Sequence, residues 1–331
     1  MGHLTGGSVT DDVRWMAAAI GLSQRGRGRT APNPCVGAIV VREDRVVGRG
    51  WTMPGGRPHA EAIALHQAGD AARGATLYTS LEPCAHVSAR GPTCTASIIE
   101  AGIARVVIGL RDPDPRTDGR GIAALNAAGI EVATRVGADE AARAMQGFLT
   151  RHRLGRAHVT LKLATSLDGR IALTTGESKW ITGDAARAHG HLERARHDTI
   201  LVGRGTFEAD MPRLDVRLPG LEDRAPVRLL LTRGAAPDGW RAVASPEIAV
   251  AQAGVDHLMV EGGAGAASAF LSADLVDRLL LYRAPIVIGE GRAALGDIGL
   301  TSLADAHARW RRVDTRMLGS DTLEVYERVR D

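Results

Sequence analysis

Short apolar runs alternate with segments of helical apolar spacing through the first half of the chain. VGAIVV (36–41) and RVVGRGW (45–51) flank a polar turn near Glu43-Asp44 and predict a two-stranded hairpin. ATLYTSL, ARVVIGL and IEVAT predict three more strands. Between them the pattern predicts helices. One is DDVRWMAAAIGL, with Thr10 as its cap and Asp11 and Asp12 at the positive end of its dipole. Others run from near His59 to before Gly69, from Cys94 to Ala101, over 121–128 and from Ala138 to Phe148. Residues 1–9 read as a disordered leader. Strands alternating with helices predict an α/β layer architecture.

The Arg-rich connection RHRLGRAHV interrupts this pattern and divides the chain into domains expected at 1–150 and 151–331. HVTLKLATS then opens a second α/β unit, with further strands expected at DTILVG, VRLLLT, DHLMVEG, RLLLYRAPIVI and LEVYERV. Residues 232–256 carry the most blurred pattern. A chain of 331 residues can bury two cores, in keeping with this division.

Composition narrows the function classes. Aromatic residues are 3% of the chain, which leaves little for stacking single-stranded bases. The net charge of +3 includes no basic block, so a nucleic-acid partner is not expected, whereas an anionic small molecule is compatible. Three cysteines provide no disulfide framework and suit a reducing cytoplasm. No apolar run approaches membrane-spanning length. A homodimer through the apolar second domain is expected.

The strongest chemical signal is His59-Ala60-Glu61 at the start of a predicted helix, followed by Pro83-Cys84 and then Cys94. His59, Cys84 and Cys94 are three metal donors, the number that leaves a tetrahedral zinc one open position for water, as catalysis requires. His-x-Glu followed by Pro-Cys is the pattern of zinc-dependent nucleobase deaminases. The usual second Cys follows two residues after the first; here nine residues intervene. Zinc lowers the pKa of water to about 7, and Glu61 is the candidate to move protons between water, ring nitrogen and leaving amine. His86 is the alternative fourth ligand of a closed structural site. Cys35 runs into an apolar strand and reads as packing. Asn33, in a loop stiffened by two prolines, is the candidate to orient a substrate. Lys162 and Lys179 are rare lysines in a chain whose Lys and Arg together number 41, which marks them for chemistry of their own.

APNPCVGAIVV, PHAEAIAL, TLYTSLEPCAH and RDPDPRTDGRG together resemble the bifunctional riboflavin-biosynthesis deaminase–reductase family, in order across most of residues 11–150. The resemblance implies an N-terminal cytidine-deaminase-like zinc domain acting on a phosphorylated ribosylamino pyrimidine. Arg90 would meet the phosphate, in a loop about one residue longer than the family's. VTLKLATSLDGRIALTTGESKWITG resembles the reductase half, which implies a dihydrofolate-reductase-like fold and NADPH. It further implies cofactor contacts at Thr165, Trp180, Thr206, Asp210 and the turn and helix start Gly263, Ala264, Gly265, Ala266, Ala267, Ser268 and Ala269. Substrate contacts are implied at Ser178, Leu214, Arg217 and Glu261, with charge supplied by Lys162. Two departures stand out: Met211 replaces a carboxylate, and the segment after VRLLL is short, with Thr232 where the family has Asp. Two other readings remain open on the sequence: a deaminase with a non-catalytic binding or oligomerisation domain, and a tRNA deaminase.

Overall fold

The structure, a computed structural model, describes residues 9–86 and 91–330. The chain divides into two compact units between Leu154 and Gly155.

In the first unit, α1 (Val9–Ser23) precedes β1 (Gly37–Arg42) and β2 (Arg45–Trp51), then α2 (Ala60–Ala68), β3 (Thr76–Leu81) and α3 (Cys94–Glu100). β4 (Arg105–Leu110), α4 (Arg120–Ala127), β5 (Glu131–Thr134), α5 (Ala138–Ala144) and α6 (Gln146–Leu154) complete it. The sheet order is β2-β1-β3-β4-β5, antiparallel across the first two pairings and parallel across the last two. α1 and α5 pack on one face, and α2, α3 and α4 line the other. Val40, Leu77, Val106, Val107 and Ile108 are fully buried between these layers.

Two glycines bring α2 against the sheet. The carbonyl oxygens of Ala64 and Ala60 occupy the places where Cβ atoms of Gly48 and Gly50 would stand. Only a residue without Cβ permits that approach. On the sheet's opposite face, Arg105 grips Asp12 of α1 with two bonds, at 2.7 and 2.8 Å, and Tyr78 adds a third at 3.0 Å.

Two expectations need correction here. The first helix begins by Val9, so Thr10 lies inside its first turn and does not cap it. The helix expected to end at Phe148 instead breaks at Met145 (φ −109°) and resumes to Leu154, so the first four residues of the Arg-rich stretch are helical. Gly155, at φ +68°, ends it in the left-handed region that glycine favours.

The second unit contains β6 (His158–Thr165), β7 (Arg170–Leu173), α7 (Asp184–Arg194), β8 (Thr199–Gly203), α8 (Arg204–Asp210), β9 (Val227–Leu231), β10 (Arg241–Val243) and α9 (Pro246–Val250). β11 (His257–Val260), α10 (Ala264–Ser272), β12 (Arg278–Arg283), β13 (Gly291–Ala293), β14 (Trp310–Leu318) and β15 (Asp321–Arg328) follow. The main sheet runs β10-β9-β8-β11-β6-β12-β15-β14, parallel from β10 to β12 and antiparallel beyond. The expected strand RLLLYRAPIVI stops at Arg283, two residues before Pro285, which has no N–H to donate. The blurred segment supplies β10 and α9, which finish one edge of the sheet.

Candidate active sites

The first site forms where three elements begin or end on one face of the sheet. His59 is the residue before α2, still extended (φ −71°, ψ 159°), so its ring leaves the helix axis while Glu61 sits inside the first turn. Cys84 follows β3 in a loop, and Cys94 is the first residue of α3, whose cap is Thr93. Nδ1 of His59 lies 3.6 Å from Sγ of Cys84 and 3.3 Å from Sγ of Cys94. The three donor atoms all fall within 4.8 Å of one another. Tetrahedral zinc with ordinary Zn–S and Zn–N lengths places S and N donors about 3.5 Å apart. The donor set therefore fits zinc in both chemistry and spacing.

Electrostatics supports the same division of labour. A hydrogen bond with Cys94 lowers Cys84 to about 4 against the cost of burial, and His59 adds to the effect. His59 is raised, chiefly by its bond with Cys84. Burial pushes Glu61 up to about 7, opposed by the charge of His59 and reinforced by that of Cys84. Glu61 is 3% exposed, so it is a carboxyl group placed to hold or release a proton near neutrality.

The remaining expectations on this side divide. The Asn33 amide donates to the carbonyl of Gly56 at 2.8 Å, which fixes the side chain at the loop end. His86 is not part of the donor cluster; its Nδ1 lies 3.3 Å from the hydroxyl of Thr117. Among the described residues the cluster therefore has three members, not the four of a closed site. Cys35 is buried and reaches the carbonyl of Ala144 at 3.4 Å, a packing role. Arg90 lies outside the described residues.

The second site is a cavity of about 910 Å³ over the carboxyl ends of β6, β8 and β11, where parallel sheets bind ligands. Lys162, Ser178, Trp180, Thr206, Asp210, Leu214, Arg217, Glu261 and Gly263–Ala266 all line it. Nζ of Lys162 donates to Oε1 of Glu261 at 3.2 Å, and lies 5.8 Å from the Tyr282 ring centre. The backbone N–H of Gly263 donates to the hydroxyl of Thr206 at 2.9 Å, tying the Gly-rich turn to α8. A volume of this size with a Gly-rich turn and many cations fits a large anionic cofactor such as NADPH.

Four implied cofactor residues do not line this cavity. Thr165, the last residue of β6, is 3% exposed. Ala267 and Ser268 are buried inside α10, with Ser268 accepting from Gly296 N–H at 2.8 Å, and Ala269 is likewise absent from the lining. Conversely, the sequence reading missed Arg194, which lines the cavity from α7 and binds Glu261 through two hydrogen bonds. Burial pushes Glu261 up, but the charges of Lys162 and Arg194 outweigh it and hold the carboxyl at about 2.

Residues 9–110 match the cytidine and deoxycytidylate deaminase zinc-binding region, and 157–246 with 247–323 match the RibD C-terminal domain. The riboflavin biosynthesis protein RibD of Aquifex aeolicus is 36% identical over 96% of this chain and 98% of its own length. The chain belongs to the RibD family. The RibD of Bacillus amyloliquefaciens is 40% identical, over 83% of this chain and 85% of its own. The solved RibD of Acinetobacter baumannii superposes with a TM-score of 0.85 at 34% identity, covering 98% of this chain and all of that one. RibD proteins are bifunctional enzymes of riboflavin biosynthesis, and this chain accordingly joins a zinc deaminase to an NADPH-dependent reductase. Matches to both RibD domains do not favour a deaminase with an inert second half, or a tRNA deaminase. The two pieces of the RibD C-terminal match meet within α9, in the segment noted as short in sequence.

Proposed function

We propose that the chain first deaminates 2,5-diamino-6-ribosylamino-4-pyrimidinone 5′-phosphate and then reduces the ribosyl chain of the product to ribityl. The observation that carries this reading is the coexistence, in one chain, of the His59–Cys84–Cys94 donor set beside buried Glu61 and a large cationic cavity. The solved Thermotoga maritima relative (TM-score 0.87, 32% identity) is described as a diaminohydroxyphosphoribosylaminopyrimidine deaminase/5-amino-6-(5-phosphoribosylamino)uracil reductase. The division of labour runs between the expected domains 1–150 and 151–331.

His59, Cys84 and Cys94 would hold a zinc ion, which would supply the Lewis acidity that makes water nucleophilic at neutral pH. Glu61 takes one proton from the attacking water and passes it to the pyrimidine ring nitrogen, then takes the second from the hydroxyl added to the ring and delivers it to the departing amine. Asn33, pinned by Gly56, orients the pyrimidine. NADPH bound in the second unit would supply the hydride. Thr206, Trp180, Asp210 and Gly263–Ala266 bind the cofactor, while Ser178, Leu214, Arg217 and Glu261 hold the substrate. The Lys162 ammonium contributes positive charge beside the reacting sugar. No helix among the described residues is long and apolar enough to cross a membrane. A homodimer in the cytoplasm belongs to this proposal, supported by the apolar second domain and the three cysteines that form no disulfide framework.

The test is to incubate zinc-loaded protein with the diaminopyrimidine substrate and NADPH and to identify products by mass spectrometry. A deaminated and reduced product supports both activities; a deaminated product that stays unreduced overturns the second.

A further inference from the structure

Glu82 precedes Cys84 by two residues, is 2% exposed, and binds no side chain of the metal cluster. Its carboxylate instead gathers backbone N–H groups from a distant segment. Oε2 accepts from Asp112 at 3.3 Å and Gly119 at 3.0 Å, and Oε1 accepts from Gly121 at 3.0 Å and Ile122 at 3.2 Å. The amides of Gly121 and Ile122 belong to the first turn of α4, and the preceding residue, Gly119, has no side chain with which to cap it. First-turn amides lack partners within their own helix, and negative charge is favoured beside them. A carboxylate from 37 to 40 residues upstream therefore does this work.

Two further contacts join the same segments. The carbonyl oxygen of Pro83 stands where a Cβ on Gly121 would be, and His86 meets Thr117. On its other side Cys84 is held by α3. The Cys94 N–H donates to Sγ of Cys84 at 3.3 Å, and the hydroxyl of Thr95 donates to the Cys84 carbonyl at 3.2 Å. Cys84 thus sits between α3 and the 112–122 segment, and Glu82 is the group that draws the second of these in.

We propose that Glu82 is a positioning residue of the deaminase: by collecting the 112–122 amides it presses the Cys84 loop against α3 and fixes the donor geometry. A local cap on α4 would stabilise the helix without involving the donor loop at all. The inference rests on reading Cys84 as a metal donor, and the tests separate the two ideas.

Glu82→Gln keeps the shape but turns an amide NH₂ toward groups that can only donate. Expected are a fall of about 10–100-fold in deaminase kcat or zinc affinity, the range for groups that support metal ligands, with KM unchanged. The thiolate-to-metal absorption of the cobalt-substituted protein should shift. Reduction of already deaminated substrate by the same chain should stay at the parental rate, which checks that the protein is folded. Gly121→Ala, which forces Pro83 away with Glu82 intact, should give the same signature and carries the test alone if the Gln variant does not fold. Parental kcat, zinc affinity and cobalt spectrum in these variants would overturn the proposal. So would an equal loss of both activities, which assigns Glu82 to general stability. Separately, a Cys84→Ser protein that retains zinc at parental affinity removes the metal-donor reading itself, whatever Glu82 does.

Discussion

Arg194 holds Glu261 through two hydrogen bonds, Nε to Oε2 at 2.8 Å and Nη2 to Oε1 at 2.7 Å, while Lys162 shares the same carboxylate. Both partners of the Arg194–Glu261 pair are 14% exposed, so solvent does little to replace a lost contact. Removing one member of such a pair costs about 3 kcal/mol. Arg194→Ala should therefore lower the melting temperature of the second unit and weaken reduction, leaving deamination intact. Thermal melting followed by separate assays of the two steps checks this; an unchanged melt would show the pair to be dispensable.

The same carboxylate predicts an acid limit. Glu261 is held at about 2 against an ordinary value of 4.5, so the folded state binds its proton less readily than the unfolded chain. Its contribution is complete above about pH 4.5 and is lost as pH falls toward about 2. Glu261→Gln should flatten that part of the stability profile. Chemical denaturation at a series of acidic pH values measures it, and parallel profiles for parent and variant would exclude the linkage.

Glu61→Gln should keep zinc and lose deamination. The amide retains the shape of a side chain buried in α2 but cannot carry protons. The expected loss in ammonia release is about 10²–10⁴-fold, with metal content unaltered by elemental analysis. Ammonia release near the parental rate would remove Glu61 from the proton path.

Stripping the metal should separate the two activities. His59, Cys84 and Cys94 all belong to the first unit, whereas the cavity with Lys162 and Glu261 lies wholly in the second. A zinc chelator should abolish deamination and spare reduction of deaminated substrate, and added zinc should restore the first step. Equal loss of both would mean that metal loss damages the whole chain.

How far the sequence revealed these features depended on whether function needed a local pattern. His59 and Glu61 are legible because one helix start must send two side chains in different directions. Cys84 and Cys94 are legible despite their wide spacing, because each opens or follows a regular element. Arg194 was invisible: it is one of two arginines on α7, and only the fold brings it to Glu261, 67 residues away. Glu82 was hidden for the same reason, since its partners are backbone amides with no signature of their own. Thr165, a cofactor contact implied by the family resemblance, is buried at the end of β6 and does not line the cavity, which only the folded strand reveals. The break at Met145 depended on local backbone geometry that apolar patterning does not encode, whereas the strand's end at Arg283 was signalled by Pro285 within an otherwise apolar run.

Gly48 and Gly50 let α2 lie directly on β2, and α2 is the element that presents His59 and Glu61. A methyl group added at either place would displace the helix rather than some adaptable side chain. In a mutational map of this enzyme, deaminase-null variants would thus cluster not only at donors and the proton carrier but at two featureless positions on a neighbouring strand. Their contribution to catalysis is the volume they leave empty.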